Sequence, residues 1–381
     1  MTGLYLHIPF CEHKCIYCDF YSIAPDEDRS DGGALQEMFT ERLLTEIRLR
    51  KQETGPVGMV STVFFGGGTP SLLTEREAMS ILEALHAAYD IAPDAEVTLE
   101  ANPGTVSLSR LRAFRSMGFN RVSFGVQSFQ EEELRFLTRI HTAGQAEKSV
   151  REAREAGFDN LSIDLMFSLP GQTPEKWIDN LGRAMRLNPD HLSCYSLTVE
   201  QNTPLARMVS SGQVQTLDCQ TDADLYERTI DLLGENGYEQ YEVSNFAKAG
   251  RRSRHNLNYW KHGEYIGFGP SAHSYRGGRR WWNIANLSTY TAMLGKQDLP
   301  VAGSEQLTTG QMMTELVFLG LRSDGVDLEQ YRRRFGTSFL DDRHDAIQPL
   351  LLDGLANVRG TVLALTRRGY MVCDEICAAL A

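Results

Sequence analysis

The chain has 381 residues, 42% of them hydrophobic and 23% charged, and a net charge of −12. That mixture suits one large domain plus a smaller one, and its acidity argues against a general nucleic-acid binder, which needs clustered Lys and Arg. No apolar run approaches the ~20 residues of a membrane helix, and the opening MTGLYLHIPF lacks the charged and long apolar regions of a signal peptide, so a cytoplasmic protein is expected, with peripheral membrane contact left open.

Short apolar runs of strand type alternate with longer amphipathic stretches. The runs are LYLHI (4–8), VSTVFF (60–65), EVTLE (96–100), RVSFGV (121–126), LSIDLM (161–166) and HLSCYSLTV (191–199). Helical patterns lie between them at 34–53, 74–89, 107–117, 130–155 with a break near 140, and 174–187. Strand then helix, repeated about six times, predicts parallel βα units. Thr74 with Glu77 three residues on is a capping-box pattern, and Gly118 and Gly157 stand where helix-terminating glycines do.

A further helix is expected at 220–236, followed by YEQYEVSNFA and an irregular Gly- and aromatic-rich stretch over 250–283. From about 305 the pattern changes to two helices, then strand, tight turn, strand and a short helix, which reads as winged-helix-like. The Arg332–Arg334 run reads as a solvated helix face. The expected fold is therefore α/β: a partial (β/α)6-type parallel barrel with a small C-terminal winged-helix-like domain. The division is a barrel core over 1–215, an extension over 216–303 that carries HNLNYW, and the C-terminal unit over 304–381.

Seven cysteines in a long chain, an odd number, argue against a disulfide scaffold. Cys194, Cys219, Cys373 and Cys377 are scattered and read as buried or half-buried thiols, the last two on one face of a terminal helix. Cys11, Cys15 and Cys18 instead form C-x3-C-x2-C just after the first strand. Function gathers at the C-terminal ends of strands in a parallel barrel. The successive ends carry this cysteine cluster, GGGTP (66–70), Glu100, Gln127 and Asp164. Three thiolates at this spacing can hold three irons of a [4Fe–4S] cube and leave one iron open to an outside ligand. A zinc site completed by His7 or His13 is the alternative. Gly66–Gly68 admits close approach to the backbone. Glu100 suits sugar hydroxyls or an amine, and Arg139 suits a carboxylate; an amino acid joined to a ribose satisfies them all. Asp164 stands mid-run, a costly place for a carboxylate unless it is bonded.

With these residues the sequence resembles the radical S-adenosylmethionine (SAM) proteins. Within them YLHIPFCEHKCIYCDF is similar to the branch of oxygen-independent coproporphyrinogen III oxidases and HemW-type heme chaperones, over nearly the whole chain. The resemblance implies a barrel of radical SAM type, with the amine and carboxylate of SAM on the fourth iron. It implies that Tyr5, Gly67 and Glu100 face that SAM. Tyr17, Gly68, Thr69, Gln127, Arg139 and Asp164 match positions that line a second SAM in the oxidase.

Two features divide the branch. The oxidases resemble C-x3-C-x2-C-x-C, preceded by several dozen residues that help close the site; here Phe20 replaces the last cysteine and ten residues precede Cys11. HNLNYW (255–260) matches the H-N-x-x-Y-W pattern of the chaperones. His255 is a candidate axial ligand for heme, with Tyr259 and Trp260 for stacking and Arg251, Arg252 and Arg254 for propionates. The alternative is that this hexapeptide only braces a loop; His262, His273 and Cys219 are rival ligands. The expected function is a heme chaperone that binds heme, a [4Fe–4S] cluster and SAM, and passes heme to an apo-hemoprotein such as a respiratory cytochrome, with dimerisation promoted by the cluster. The alternatives are porphyrinogen decarboxylation and, more distantly, RNA modification by a radical SAM enzyme.

Overall fold

Each expected apolar run is a strand: β1 (Thr2–Ile8), β2 (Val60–Gly67), β3 (Ile91–Ala101), β4 (Arg121–Gln127), β5 (Leu161–Phe167) and β6 (His191–Ser196). The structure is a computed structural model, which describes residues 2–24 and 32–380. The six strands pair in chain order and all in parallel. Helices Gly32–Thr54, Glu75–Ala88, Leu108–Ser116, Ala143–Glu155 and Pro174–Arg186 connect them, with a short helix Glu131–Phe136 before the break. Their starts are chemically marked. Thr74 and Glu77 form the expected capping box, Thr142 and Gln145 form another, and Ser107 and Thr173 cap through their hydroxyls.

Side-chain alternation decides what this sheet can do. Leu6, Phe65, Leu99, Val122 and Leu161 stand in register across five strands and are buried in the main core beneath the helices. Burying each such side chain is worth about 1.5–3 kcal/mol. One position along, the rows on the other face are Tyr5, Phe64, Thr98 and Arg121, then Glu100, Ser123, Ser162 and His191. Parallel strands buried on both faces usually read as apolar throughout. Here the second face is largely polar, so the interior that it lines is not an oily core.

The stretch read as irregular is regular. Strands β7 (Glu239–Gln240), β8 (Asn245–Ala247), β9 (Glu264–Phe268), β10 (His273–Arg276), β11 (Arg279–Asn283) and β12 (Val301–Gln306) extend the sheet on both sides. Its order among the described residues is β12-β11-β10-β9-β1-β2-β3-β4-β5-β6-β8-β7. β9 runs parallel to β1 and makes a seventh parallel strand; the sheet ends in open edges and does not close. HNLNYW falls in a helix, Arg254–Trp260, not in a loop. Ser253 caps that helix, and Glu96 accepts both the Arg254 and His255 amides, at 3.1 and 3.0 Å.

The C-terminal unit has its own core, around Val317, Leu321, Tyr331, Ile347, Leu363 and Ile376. Helix Thr309–Leu321, strand β13 (Val326–Asp327) and helix Leu328–Phe335 come first in the chain, strands β14 (Ala356–Arg359) and β15 (Val362–Leu365) later, and the three strands pair in the order β13-β15-β14. Cys373 and Cys377 are buried in this core with their sulfurs 3.9 Å apart. No described helix is long and apolar enough to cross a membrane.

Candidate functional site

β1 runs directly into the cysteine loop, and two clamps fix that loop. Gly68 and Thr69 donate their amides to the Ile8 and Phe10 carbonyls at 2.8 and 2.7 Å. From the other side the Cys11 amide reaches the Ile23 carbonyl at 2.9 Å, and the Ile23 amide reaches Pro9 at 2.7 Å. Glycine at 68 is a steric necessity: a Cβ there would lie 2.7 Å from the Phe10 carbonyl oxygen. The glycine run therefore seats the cysteine loop as well as leaving room beside it.

The three cysteines line one cavity of about 440 Å³ at the C-terminal ends of the strands. Tyr17, Gly67, Gly68, Glu100, Gln127, Arg139 and Asp164 line it too, so most of the residues expected at the site meet there. Thr69 lies just behind the wall, buried, and donates its hydroxyl to the Cys11 sulfur at 3.5 Å. Arg139 approaches the Cys15 sulfur at 3.5 Å and donates to Asn102 at 2.6 Å. A bulge between Gly125 and Gln127, with Gln127 at φ 69°, turns the end of β4. Tyr5 lies deeper, in an adjoining chamber.

Asn102 was not foreseen. It donates to the Thr69 hydroxyl at 2.9 Å and accepts from Arg139, so it ties both flanks of the cysteines together. Its signal was its place two residues after Glu100 in EANPGT. Burial raises the Cys11 thiol above its ordinary value and pushes Cys18 up to about 11, so a metal must displace protons to bind there. Burial, and then the Asp164 carboxylate, push Glu100 up to about 8 from 4.5.

That shift has a sign. The folded state holds the Glu100 proton more tightly than the unfolded chain. The stability this adds is complete below about pH 4.5 and is lost as pH rises through about 8. Urea unfolding of the apo-protein at several pH values should show stability falling across that window, and Glu100→Gln should flatten the fall by on the order of a few kcal/mol. Identical profiles for the two proteins would contradict the assigned burial.

Residues 5–184 match the family model of the radical SAM superfamily, and residues 307–372 match that of the HemN C-terminal domain. The heme chaperone HemW of Bacillus subtilis (strain 168) is 34% identical over 383 residues, covering 100% of this chain and 99% of that one. The chain belongs to the HemW family of radical SAM proteins. The heme chaperone HemW of Escherichia coli (strain K12) is 42% identical over 272 residues, covering 71% of this chain and 69% of that one. A solved structure, coproporphyrinogen III oxidase from Escherichia coli, described as a radical SAM enzyme, aligns with a TM-score of 0.84 at 26% identity, covering 100% of this chain and 89% of that one.

Membership of the radical SAM superfamily implies a [4Fe–4S] cluster and SAM, and the cavity fits both. Three free thiols face it. The Arg139 Nε is buried there with no partner, a donor in want of an acceptor. His7 is not free to complete a zinc site, because its ring nitrogens bond the Tyr21 carbonyl at 2.7 Å and the Tyr5 hydroxyl at 3.1 Å.

The residues that this HemW-family chain was expected to offer to heme stand differently. His255 is 1% exposed. Its Nδ1 bonds the Thr62 hydroxyl at 2.8 Å and its Nε2 the Tyr259 hydroxyl at 2.9 Å. Neither nitrogen is free for iron in this arrangement, and burial lowers the ring to about 3, so it is neutral. Arg251, Arg252 and Arg254 are already paired with Asp190, Asp324 and Asp94, among others. His262 is bonded to Glu315 at 3.1 Å, whereas His273 is exposed with its ring against Trp282, and Cys219 is exposed on a helix start. The helix carrying HNLNYW contacts β1, β2 and β9 beside their N-terminal residues, as Gly3 and Thr62 show. That is the opposite end from the cysteines.

Proposed function

We propose that this protein is a heme chaperone. Cys11, Cys15 and Cys18 hold a [4Fe–4S] cluster, and SAM binds where the cysteines leave an iron free. The protein binds heme and passes it to an apo-hemoprotein, with respiratory cytochromes as the first candidates. It works in the cytoplasm, in touch with the membrane surface where such recipients sit, and cluster loading favours a homodimer. The observation that carries this reading is the end-to-end relation to proteins named as HemW heme chaperones. The scaffold alone would not separate it from decarboxylation, since a coproporphyrinogen oxidase shares the fold. Phe20, standing where the oxidases carry a further cysteine, favours the chaperone reading.

When bound, the cluster and SAM supply one-electron chemistry. The chain's own residues position that pair. Arg139, fixed by Asn102 and the Gly125 carbonyl, presents a permanent cation to the cavity. Glu100 spends one oxygen on the Gly67 amide at 3.2 Å and keeps the other for a ligand. Gln127 and Asp164 add polar groups on the far wall. We propose that the chain divides into a core over 1–215, an extension over 216–303 and a C-terminal unit over 304–381.

The test is a hemin titration of anaerobically reconstituted protein, with coproporphyrinogen turnover assayed on the same sample. The expected result is about one hemin per chain and no decarboxylation. Sustained decarboxylation would move the protein to the oxidase class.

A further inference from the structure

Beneath the cysteine cavity lies a second chamber of about 230 Å³. The two share Phe20, Gly67, Glu100, Ser123, Asp164 and Tyr195 in their walls, so one opens toward the other. The floor of the chamber is His255, Asn256 and Tyr259, three residues of HNLNYW. Both histidines near its base are neutral by burial, His255 and His191. Into this space faces Arg121, the first residue of β4.

Arg121 is 2% exposed and its Nε is buried with no partner. Among the described residues no carboxylate lies within ion-pair distance of its guanidinium and no side-chain hydrogen bond satisfies it. Its charge reaches Glu100 and Asp164 only through space. By contrast Arg50 is paired with Glu53, Arg139 is bonded to Asn102 and Arg252 is paired with Asp324. A buried guanidinium left unpaired is expensive, and a planar carboxylate is the partner its geometry suits.

We propose that this chamber is a carboxylate subsite, with Arg121 as its anchor and Phe20 as the wall at its mouth. Resting on the heme reading above, the carboxylate is a propionate of the tetrapyrrole. The chamber falls short of the ~300 Å³ at which sites for whole drug-sized ligands begin, and the cavity above it belongs to the cluster and SAM, so the macrocycle stays outside, at the Phe20 rim, and one propionate reaches in. Phe20, an exposed aromatic on the rim of both spaces, is placed to pack against the ring edge as the side chain enters.

The experiment compares hemin with hemin dimethyl ester, whose propionates carry no charge, by calorimetric titration of the reconstituted full chain. Wild type should bind hemin about tenfold to a hundredfold more tightly than the ester, the range expected for one charge-assisted contact. Arg121→Gln should bring the two ligands to within about threefold, and Arg121→Lys should retain part of the preference. Equal binding of both ligands by wild type would overturn the subsite while leaving heme binding intact. Binding of neither would instead remove the heme reading. A preference that survives in Arg121→Gln would assign the anchor elsewhere. If Arg121→Gln abolishes the response to added SAM and leaves the hemin preference unchanged, the carboxylate is that of SAM and the propionate assignment fails. Should Arg121→Gln not fold, the wild-type comparison and Arg121→Lys still decide.

Discussion

Cys15→Ala loses its cluster. After anaerobic reconstitution its iron content should fall from ~4 per chain to background, with loss of the visible iron–sulfur absorption. Three sulfurs are the fewest that leave one iron open, and with two the cube has two unheld corners. Cys11→Ala and Cys18→Ala should behave alike, since all three thiols line the same cavity. The fold should survive. Cys15 sits on a loop fixed by backbone hydrogen bonds at its neighbours, so the cost in apo stability is expected at about 1 kcal/mol. Cys194→Ala gives the opposite pattern. That thiol is 1% exposed in the main core on the apolar face of β6, and its loss should lower stability without changing iron content. Full iron retention in Cys15→Ala would mean that the spacing motif is not the cluster site.

The largest expected loss of stability lies away from the cavity, at Glu46. This carboxylate is fully buried in the first helix. One oxygen accepts from the Gly269 amide at 2.8 Å and the Tyr290 hydroxyl at 2.6 Å; the other accepts from the Asn283 amide at 2.6 Å. The buried Arg50 guanidinium lies 3.7 Å away. Burial raises the carboxyl, and Arg50 with these donors opposes the rise. Together the bonds fasten the turn after β9, the end of β11 and the helix Leu287–Gly295 to the first βα unit. Gly269 touches β1 so closely that a Cβ would lie 2.3 Å from the His7 carbonyl oxygen, so the junction also braces the strand that feeds the cysteine loop.

Glu46→Ala should cost about 3–5 kcal/mol, because it leaves three buried donors unsatisfied and takes from Arg50 one of its two carboxylate neighbours, Glu53 remaining. Glu46→Gln keeps acceptors in place and should cost less. Urea unfolding of the apo-proteins measures both. A loss below about 1 kcal/mol for Glu46→Ala would show that the extension does not depend on this contact.

The pattern of apolar runs located β1–β6 because each has strand length and a fixed outward row. The cluster spacing is local, so Cys11, Cys15 and Cys18 were legible without any fold. What escaped notice depends on contacts distant in sequence. β9 joins β1 across more than two hundred and fifty residues, and nothing in EYIGF distinguishes a parallel partner from an antiparallel one. Glu46 in TEIRLR looks like the wet side of a helix; only the arrival of Asn283 and Tyr290 makes it an interior group. HNLNYW is too short and too aromatic to announce a helix, and its capping by Ser253 and Glu96 again joins separate regions.

Arg121 was missed for a different reason. RVSFGV reads as an apolar run, whereas the alternation of the strand places Arg121, Ser123, Gly125 and Gln127 on one face and Val122, Phe124 and Val126 on the other. The polar face begins at the foot of the strands, not at their ends. Attention to strand ends alone therefore found the cavity of the cysteines and overlooked the chamber beneath it.

The most direct measurement is electron paramagnetic resonance of the anaerobically reconstituted and reduced protein, with and without SAM, alongside metal analysis. An iron–sulfur cube held by three cysteines should give ~4 irons per chain and a reduced-cluster signal that changes when SAM is added. Zinc in place of iron, or a cluster signal indifferent to SAM, would contradict the account.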